Sequence, residues 1–165
     1  MATPTKVQIK VADEVWIATA LLHREQPDKA DFMLEEIVER ARREALHETL
    51  RPGVYVHVAQ HCVANRPPNP GRYRMLYETS EGRRRLFRKG DTYNYYREGA
   101  KSTPEPQDMP EGYGNLLGWY AEWSEEAARN RAKNDPLLAL VGSGRHIWAD
   151  EHADAYVRRL REDWE

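Results

Sequence analysis

The chain has 165 residues, of which 40% are apolar, enough for one hydrophobic core of ordinary size and too few for two. Its single cysteine, Cys62, excludes an intramolecular disulfide and is typical of a reducing compartment. No apolar run approaches the roughly 20 residues of a membrane span, and the N-terminus lacks a signal-peptide pattern. We therefore expect a cytoplasmic protein without a membrane segment.

The net charge of −2 conceals an uneven distribution of charged residues along the chain. Residues 1–50 hold 7 basic and 10 acidic residues, residues 51–100 hold 10 and 4, and residues 101–165 hold 8 and 13. A basic middle between acidic flanks is typical of a DNA-contacting face next to a region that contacts protein. Ordinary surface charge is the alternative explanation.

Two helices are predicted in the first part of the chain, after a loose N-terminal arm over residues 1–11. Asp13 is typical of an N-cap, and apolar residues at helical spacing predict a first helix that ends near Arg24. A continuous apolar stripe from Leu34 to Arg43 predicts the second helix. Arg51, Pro52 and Gly53 then form a turn into the next element.

The next stretch predicts a third helix and a β-hairpin. Val54 to Asn65 can be wound as a helix, with an apolar side that carries Val54, Tyr55, Val58, Ala59, Cys62 and Val63 and a polar side that carries His57, Gln60, His61 and Ala64. The alternation of its valines also fits a strand. Prolines between Arg66 and Gly71 end that element. Tyrosines and arginines alternate from Arg72 onward, and Ser80-Glu81-Gly82 supplies the turn of a hairpin that returns through Phe87.

Three helices followed by a hairpin predict an α+β fold, a winged helix-turn-helix domain over residues 12–90 with a C-terminal helical extension. The chain resembles the winged-helix domains that are found in small uncharacterised bacterial proteins and beside restriction-type nucleases. Four segments carry the resemblance: Val56–Val58, His61–Asn65, Tyr73–Tyr77 and Gly82–Phe87. The resemblance implies that the third helix enters the major groove of DNA. The hairpin, as a wing, would lie along the backbone or the minor groove.

Two sets of residues are candidates for DNA contact. The candidates for reading bases project from or beside the polar face of the third helix: His57, Gln60, His61 and Asn65. The candidates for neutralising phosphates lie in and around the hairpin: Arg72, Arg74, Arg83, Arg84, Arg85, Arg88 and Lys89. Because side chains alternate along a strand, the phosphate set cannot all face DNA at once. The alternative is a helix that merely packs and a hairpin that is merely solvated.

Catalytic and metal-binding patterns are incomplete. His57 and His61 stand at the i, i+4 spacing of two metal ligands, with Cys62 adjacent, but no second cluster completes a zinc site. Cys62 falls on the side predicted to be buried, where a thiol behaves as a small apolar group. Gly142-Ser143-Gly144 lacks the lysine and Ser/Thr of a phosphate loop. The sequence predicts no enzymatic activity, no metal and no cofactor.

The second half of the chain is predicted to be a connection, a short aromatic helix and a tail. Residues 91–123 connect irregularly into a helix from about Pro110 to Trp123, whose apolar stripe packs on its own domain or forms a dimer interface. Residues 124–165 form an acidic tail with two apolar segments joined by Gly142-Ser143-Gly144. Because such segments bury their faces poorly on each other, we expect them to wrap a partner.

The tail resembles the C-terminal tails of bacterial antitoxins that pair with PIN-domain ribonucleases, in Asp135–Leu140, Gly142–Gly144, Ile147–Asp150 and Tyr156–Arg161. The resemblance implies a tail that lies in the groove of a toxin, with Arg145 entering an acidic metal site. The expected partner contacts are Leu137, Leu138, Leu140, Arg145, Ile147, Trp148, Tyr156, Val157, Leu160 and Trp164. Packing of the tail on its own domain, or dimerisation through it, is the alternative.

Together these features predict a sequence-specific regulator that binds double-stranded DNA and neutralises a toxin ribonuclease through its tail, as an autoregulatory antitoxin does. A homodimer is one arrangement in which such a protein binds DNA. The alternative is a protein interaction or assembly module with a winged-helix fold and no DNA binding. Salt-dependent binding to duplex DNA separates these two functions.

Overall fold

The computed structural model describes residues 8–145 and 152–162. Within these residues the fold is α+β, with six α-helices and a three-stranded antiparallel sheet. The chain divides into two compact units, residues 1–126 and residues 127–165. The predicted domain over residues 12–90 and the predicted connection over residues 91–123 therefore belong to one unit.

The first unit begins with three helical elements. α1 spans Val11–Glu25, α2 spans Leu34–Glu44, and α3 spans Gly53–Val56 before it continues as a π-helical turn over His57–His61. The prediction of α2 is confirmed to within a residue. The segment that also fitted a strand is helical, but it ends at His61, four residues earlier than predicted.

The sheet joins a short strand near the start of the chain to the predicted hairpin. β1 is Phe32–Met33, β2 is Leu76–Ser80, and β3 is Arg83–Leu86. β3 lies in the middle, in the order β1-β3-β2, and both pairings are antiparallel. The hairpin turn falls at Glu81 and Gly82, where Gly82 adopts a φ of +71°, which a glycine accepts without steric cost. The hairpin prediction is confirmed.

α1 forms the centre of the hydrophobic core. Every residue from Ala12 to Ala20 is buried, as expected of a helix that is surrounded by other elements. The helix begins at Val11 with Lys10 at the N-cap, so Asp13 lies in the first turn and not at the predicted cap. Ile9, assigned from the sequence to a loose arm, is buried in the core.

α3 packs on the core through Val54, Val58 and Cys62, which recur every four residues and are fully buried. Two predictions for the faces of this helix are wrong. Tyr55, expected on the buried side, is 53% exposed, because it projects about 100° around the helix from Val54. Ala64, expected on the polar side, is buried because the chain has left the helix there and its N–H donates to Leu76 O at 2.8 Å.

The first unit is completed by two 3₁₀ turns, Tyr95–Arg97 and Pro106–Asp108, and by the start of α4, Asn115–Lys133. α4 begins five residues later than predicted and continues ten residues beyond Trp123. Its aromatic stripe packs on the core of the first unit, where Leu116 and Tyr120 are buried.

The second unit contains the last turns of α4, the short helix α5 over Pro136–Ala139, and α6 over Ala153–Glu162. Asp135 caps α5 by accepting a hydrogen bond from Leu137 N at 2.8 Å. None of the helices in the described part of the chain combines the length and the apolar content needed to cross a bilayer.

Candidate functional site

Two of the four candidate base-reading side chains are bonded to main-chain atoms of β2 or of the loop after α3. Asn65 Nδ2 donates to Glu78 O at 2.9 Å, and its Oδ1 accepts from Glu78 N at 2.9 Å. Gln60 Nε2 donates to Pro67 O at 2.6 Å. These amide groups hold the end of α3 to β2 and to the following loop, so reading a base would require them to release those bonds.

The two histidines form a pair on the side of α3 that faces the Gly71–Tyr73 segment. Their ring centroids lie 4.9 Å apart, and His57 Nδ1 is 2.7 Å from Gly53 O. Both rings are half-buried, and burial lowers the pKa of His57. Among residues 8–145 and 152–162, no group of three or more His, Cys, Asp or Glu residues stands close enough to hold a metal ion.

Arg84 caps the end of α3 and is 2% exposed. Its Nε donates to Val58 O and its Nη2 donates to Ala59 O, both at 3.2 Å. Glu78 supplies a carboxylate 3.6 Å away. The last carbonyl groups of a helix lack partners within the helix and carry partial negative charge, which accounts for a cation at this position.

Arg85 is also buried, with both guanidinium Nη atoms on the carboxylate of Asp91 at 2.6 and 2.8 Å. Its guanidinium also stands over the ring of Tyr77, 4.4 Å from the centroid. The expectation that Arg84 and Arg85 neutralise phosphates is therefore corrected. Both groups are bonded inside the fold and present no free face to a ligand.

The other predicted phosphate contacts are more exposed but mostly engaged. Arg83 pairs with Asp31 at 2.6 Å, and Lys89 pairs with Glu125 at 2.7 Å. Further residues of the set lie against aromatic rings: Arg74 over Tyr93 at 4.3 Å, and Arg88 over Trp123 at 5.4 Å. Arg72 is exposed at the edge of a shallow cleft.

Arg97 is a buried cation that the sequence analysis did not single out. It is fully buried and donates five hydrogen bonds of 2.7–3.3 Å, all to main-chain carbonyl oxygens: Gln60, His61, Arg66, Pro67 and Tyr73. Burial lowers its pKa. No local sequence pattern distinguishes it from a surface arginine, because its partners lie 24 to 37 residues away in the chain.

Most of the cations in the basic middle of the chain are thus engaged within the first unit, some of them buried and some, such as Lys89, exposed. Six of its ten cations pair with carboxylates: Arg51, Arg66, Arg83, Arg84, Arg85 and Lys89. Three of those carboxylates, on Glu14, Asp31 and Glu125, belong to the flanking segments. Counting charge along the chain therefore overstates the positive charge of the surface near the hairpin.

The two most exposed side chains of the α3 segment are apolar, whereas the predicted base-reading residues His57, Gln60 and His61 are half-buried. Tyr55 is 53% exposed and Val56 is 42% exposed. An exposed pair of this kind can contact the methyl group of thymine or a protein surface equally well.

The second unit exposes large apolar side chains over a short distance in sequence. Leu137, Leu138, Leu140 and Val141 are 52–77% exposed, and Val157 and Leu160 of α6 are each 44% exposed. Tyr156 is half-buried and Arg145 is exposed. The expected partner contacts Ile147, Trp148 and Trp164 lie outside the described residues.

The predicted acidic tail, residues 124–165, holds 7 basic and 9 acidic residues, and its charge is unevenly divided between the two units. Residues 127–165 hold 7 basic and 7 acidic residues, whereas residues 101–126 hold 1 and 6. The acidic flank of the chain therefore belongs to the first unit. The exposed apolar side chains of the second unit are accompanied by a balanced set of charges.

Comparisons of the chain with protein-family models, with curated proteins and with solved structures find no match. The function is therefore inferred from the residues and their geometry.

Proposed function

We propose that the chain is a DNA-binding regulator of the antitoxin kind, with a winged-helix unit and a C-terminal unit that binds and neutralises a partner ribonuclease. The observation that carries this proposal is the exposure of Leu137, Leu138, Leu140 and Val141 at 52–77%. Soluble proteins rarely expose large apolar side chains contiguously unless the patch is an interaction site. Each such side chain contributes about 1.5–3 kcal/mol when a partner buries it fully.

The topology of the first unit supports the DNA-binding half of the proposal. The order α1, β1, α2, α3, β2, β3, with β3 between β1 and β2, is compatible with the winged helix that we propose for this unit. In that arrangement α3 and the hairpin would face the duplex together. With Arg84 and Arg85 internal, the phosphate contacts reduce to the exposed cations Arg72 and Lys89 and to the partly exposed Arg83.

The partner half of the proposal is tested by co-expression with a toxic ribonuclease encoded beside this chain. We expect the full chain to relieve toxicity and the double variant Leu137→Ser/Leu140→Ser to lose both relief and co-purification. Asn130→Ser/Asn134→Ser is the matched control, since both residues are exposed and polar in the same unit. Undiminished co-purification of the leucine variant would contradict the assignment of this surface.

The DNA half is tested by titrating duplex DNA from the promoter region of the chain at several salt concentrations. Arg72→Ala/Lys89→Ala should reduce the slope of log affinity against log salt by about 2, because each phosphate contact contributes roughly one released ion. Arg24→Ala is the control, an exposed cation outside the predicted contact set. An unchanged slope in the double variant would show that these cations do not contact phosphates.

The second candidate is an interaction or assembly module that does not bind DNA. It is favoured by the exposed apolar side chains of Tyr55 and Val56 on α3 and by the internal pairing of the hairpin arginines. In this case the wild-type chain shows no salt-dependent duplex binding. Tyr55→Ser/Val56→Ser would then weaken co-purification of a protein partner while leaving the fold intact.

A further inference from the structure

Two adjacent tyrosines, Tyr95 and Tyr96, are the most exposed aromatic side chains in the described first unit, at 81% and 70%. Their ring centroids lie 5.8 Å apart, with the planes at 75°. Neither ring belongs to the hydrophobic core. The packing of the fold therefore does not account for these two large side chains.

The turn that presents the tyrosines is held firmly by buried groups. Tyr95 and Tyr96 precede Arg97 in one 3₁₀ turn, and Arg97 is fixed by its five bonds to carbonyl oxygens. Asn94 caps the turn by accepting from Tyr96 N at 3.1 Å, and its own N–H donates to Ala64 O at 2.8 Å. The rings are thus carried by an ordered backbone, which lowers the entropic cost of binding a ligand.

Two cations, Arg72 and Lys101, belong to segments that are bonded to the region after the same turn, and Lys101 also lies near the carboxylates of Asp13 and Asp108. The side chain of Arg97 reaches Tyr73, where Nη1 donates to the carbonyl oxygen at 2.7 Å. Arg74 N donates to Lys101 O at 3.0 Å, so the backbone of Lys101 lies against that of Arg74. An open cleft of about 330 Å³ is lined by Gly71, Arg72, Tyr73, Ala100 and Lys101. The nearby acidic side chain of Glu98 accepts a hydrogen bond from the Tyr93 hydroxyl.

We propose that this surface binds an unpaired stretch of nucleic acid, with bases stacked on Tyr95 and Tyr96 and a phosphate in the cleft between Arg72 and Lys101. Exposed aromatic rings next to cations are the combination that single-stranded nucleic acids require, because every base has a face that can stack. Bases inside a duplex do not offer that face. The charge of Arg72 and Lys101 is complementary to the backbone of such a strand.

Single-strand binding at the tyrosine turn does not require duplex recognition by α3. The tyrosine turn is anchored to the loop after α3, at Arg66 and Pro67. The single-strand site shares only Arg72 with the proposed duplex contacts. Duplex and single-stranded oligonucleotides are therefore titrated separately on the same full-length protein. If the chain fails to bind duplex DNA, the proposal of single-strand binding is unaffected. If it fails to bind single strands, the proposal of duplex binding is unaffected.

The probe is a fluorescein-labelled 12-nucleotide oligothymidylate, whose anisotropy is followed during titration with the full chain. Tyr95→Ala and Tyr96→Ala should each weaken binding roughly fivefold or more, the factor typical of a lost base stack. Tyr95→Phe/Tyr96→Phe should bind nearly as well as the wild type, because phenylalanine keeps the ring. Arg72→Ala/Lys101→Ala should weaken binding and flatten its salt dependence.

Thermal unfolding of each variant establishes that the fold is retained, as expected for substitutions of exposed side chains. The proposal is overturned if the wild type does not bind oligothymidylate. It is also overturned if the folded Tyr95→Ala/Tyr96→Ala variant binds as tightly as the wild type. In either case the exposed tyrosines would be assigned to a protein partner.

Discussion

The guanidinium group of Arg84 donates a hydrogen bond from Nε to the carbonyl oxygen of Val58, 3.2 Å away, at the end of the α3 segment. Its Nη2 atom donates to the carbonyl oxygen of Ala59, and the guanidinium group of Arg97 donates to the carbonyl oxygens of Gln60 and His61. Two buried arginines thus bond to four consecutive carbonyl groups at the end of this helical segment. These are the groups that a helix leaves without internal partners, and they attract positive charge.

Replacement of Arg84 by methionine should lower the free energy of unfolding by about 1.5–3 kcal/mol, because the carbonyl groups of Val58 and Ala59 lose a charged donor while they remain buried. Arg83→Met is the matched control one residue away. Its ion pair with Asp31 is partly exposed, and loss of such a pair costs about 1 kcal/mol or less. Urea unfolding of the two variants measures the difference. Equal destabilisation would show that the helix end does not depend on Arg84.

Asn65 offers a way to separate a structural role from base recognition. Its side chain exchanges two hydrogen bonds with the main chain of Glu78, so Asn65→Ala should lower the free energy of unfolding by about 1–2 kcal/mol. Asn65→Asp keeps the acceptor for Glu78 N but sets a carboxylate oxygen against Glu78 O, so at neutral pH it should destabilise the fold at least as much as Asn65→Ala. If Asn65 instead reads a base, both variants would unfold like the wild type and change only the sequence preference of duplex binding.

The helices and the hairpin were predictable because each depends on a local repeat. The apolar stripe along α2 and the alternation along β2 each repeat within a few residues, so a short segment of sequence is enough to identify the element. The boundaries of α4 were not predictable in the same way. Its early glycines weaken the predicted start, and the polar segment after Trp123 has no apolar stripe, although it continues the helix to Lys133.

The roles of the arginines were not predictable, because they depend on contacts between distant segments. Alternation along β3 shows that Arg84 points away from Arg83 and Arg85, but it does not show what lies on each side. The end of α3, 26 residues earlier in the chain, occupies one side and supplies carbonyl groups. A buried arginine and an arginine that contacts phosphate therefore look alike in the sequence.

His23 should make the stability of the fold depend on pH. The ring is 4% exposed, its Nε2 accepts from Leu86 N at 3.2 Å, and burial with nearby Arg88 and Arg85 lowers its pKa to about 3. In the unfolded chain the imidazole of His23 takes up a proton near pH 6.5, whereas in the folded chain it stays neutral until about pH 3. Stability is therefore complete above pH 6.5 and falls by up to about 1.4 kcal/mol per pH unit toward pH 3.

Urea unfolding at pH 7, 6 and 5 measures this dependence. Burial raises the pKa of Asp13, whose protonation in the folded chain acts in the opposite sense, so each variant is compared with the wild type at the same pH. His23→Gln should flatten the decline, whatever its effect on the absolute stability at pH 7. His57→Gln is the comparison, since burial also lowers the pKa of His57 but the ring is only half-buried. If the free energy of unfolding of His23→Gln fell with pH as steeply as that of the wild type, another group would be responsible for the proton uptake.

Gly71 is a position where the loop after α3 leaves no room for a side chain. A Cβ atom there would lie 2.7 Å from His61 Cβ and 2.9 Å from His61 Cγ, and neither atom is the free end of a flexible chain. Gly71→Ala should therefore lower the free energy of unfolding by about 1–3 kcal/mol. Gly118→Ala is the opposite case within α4, because nothing lies within 4 Å of its added methyl group.

Gly118→Ala should raise the free energy of unfolding by about 0.5–1 kcal/mol, since alanine restricts the unfolded chain and favours the helix. The two substitutions make the same chemical change and therefore test packing against His61 directly. If Gly71→Ala were as stable as Gly118→Ala, the loop would have to lie farther from α3 than the structure places it. In that case His57 and His61 would have more room to rotate toward a ligand.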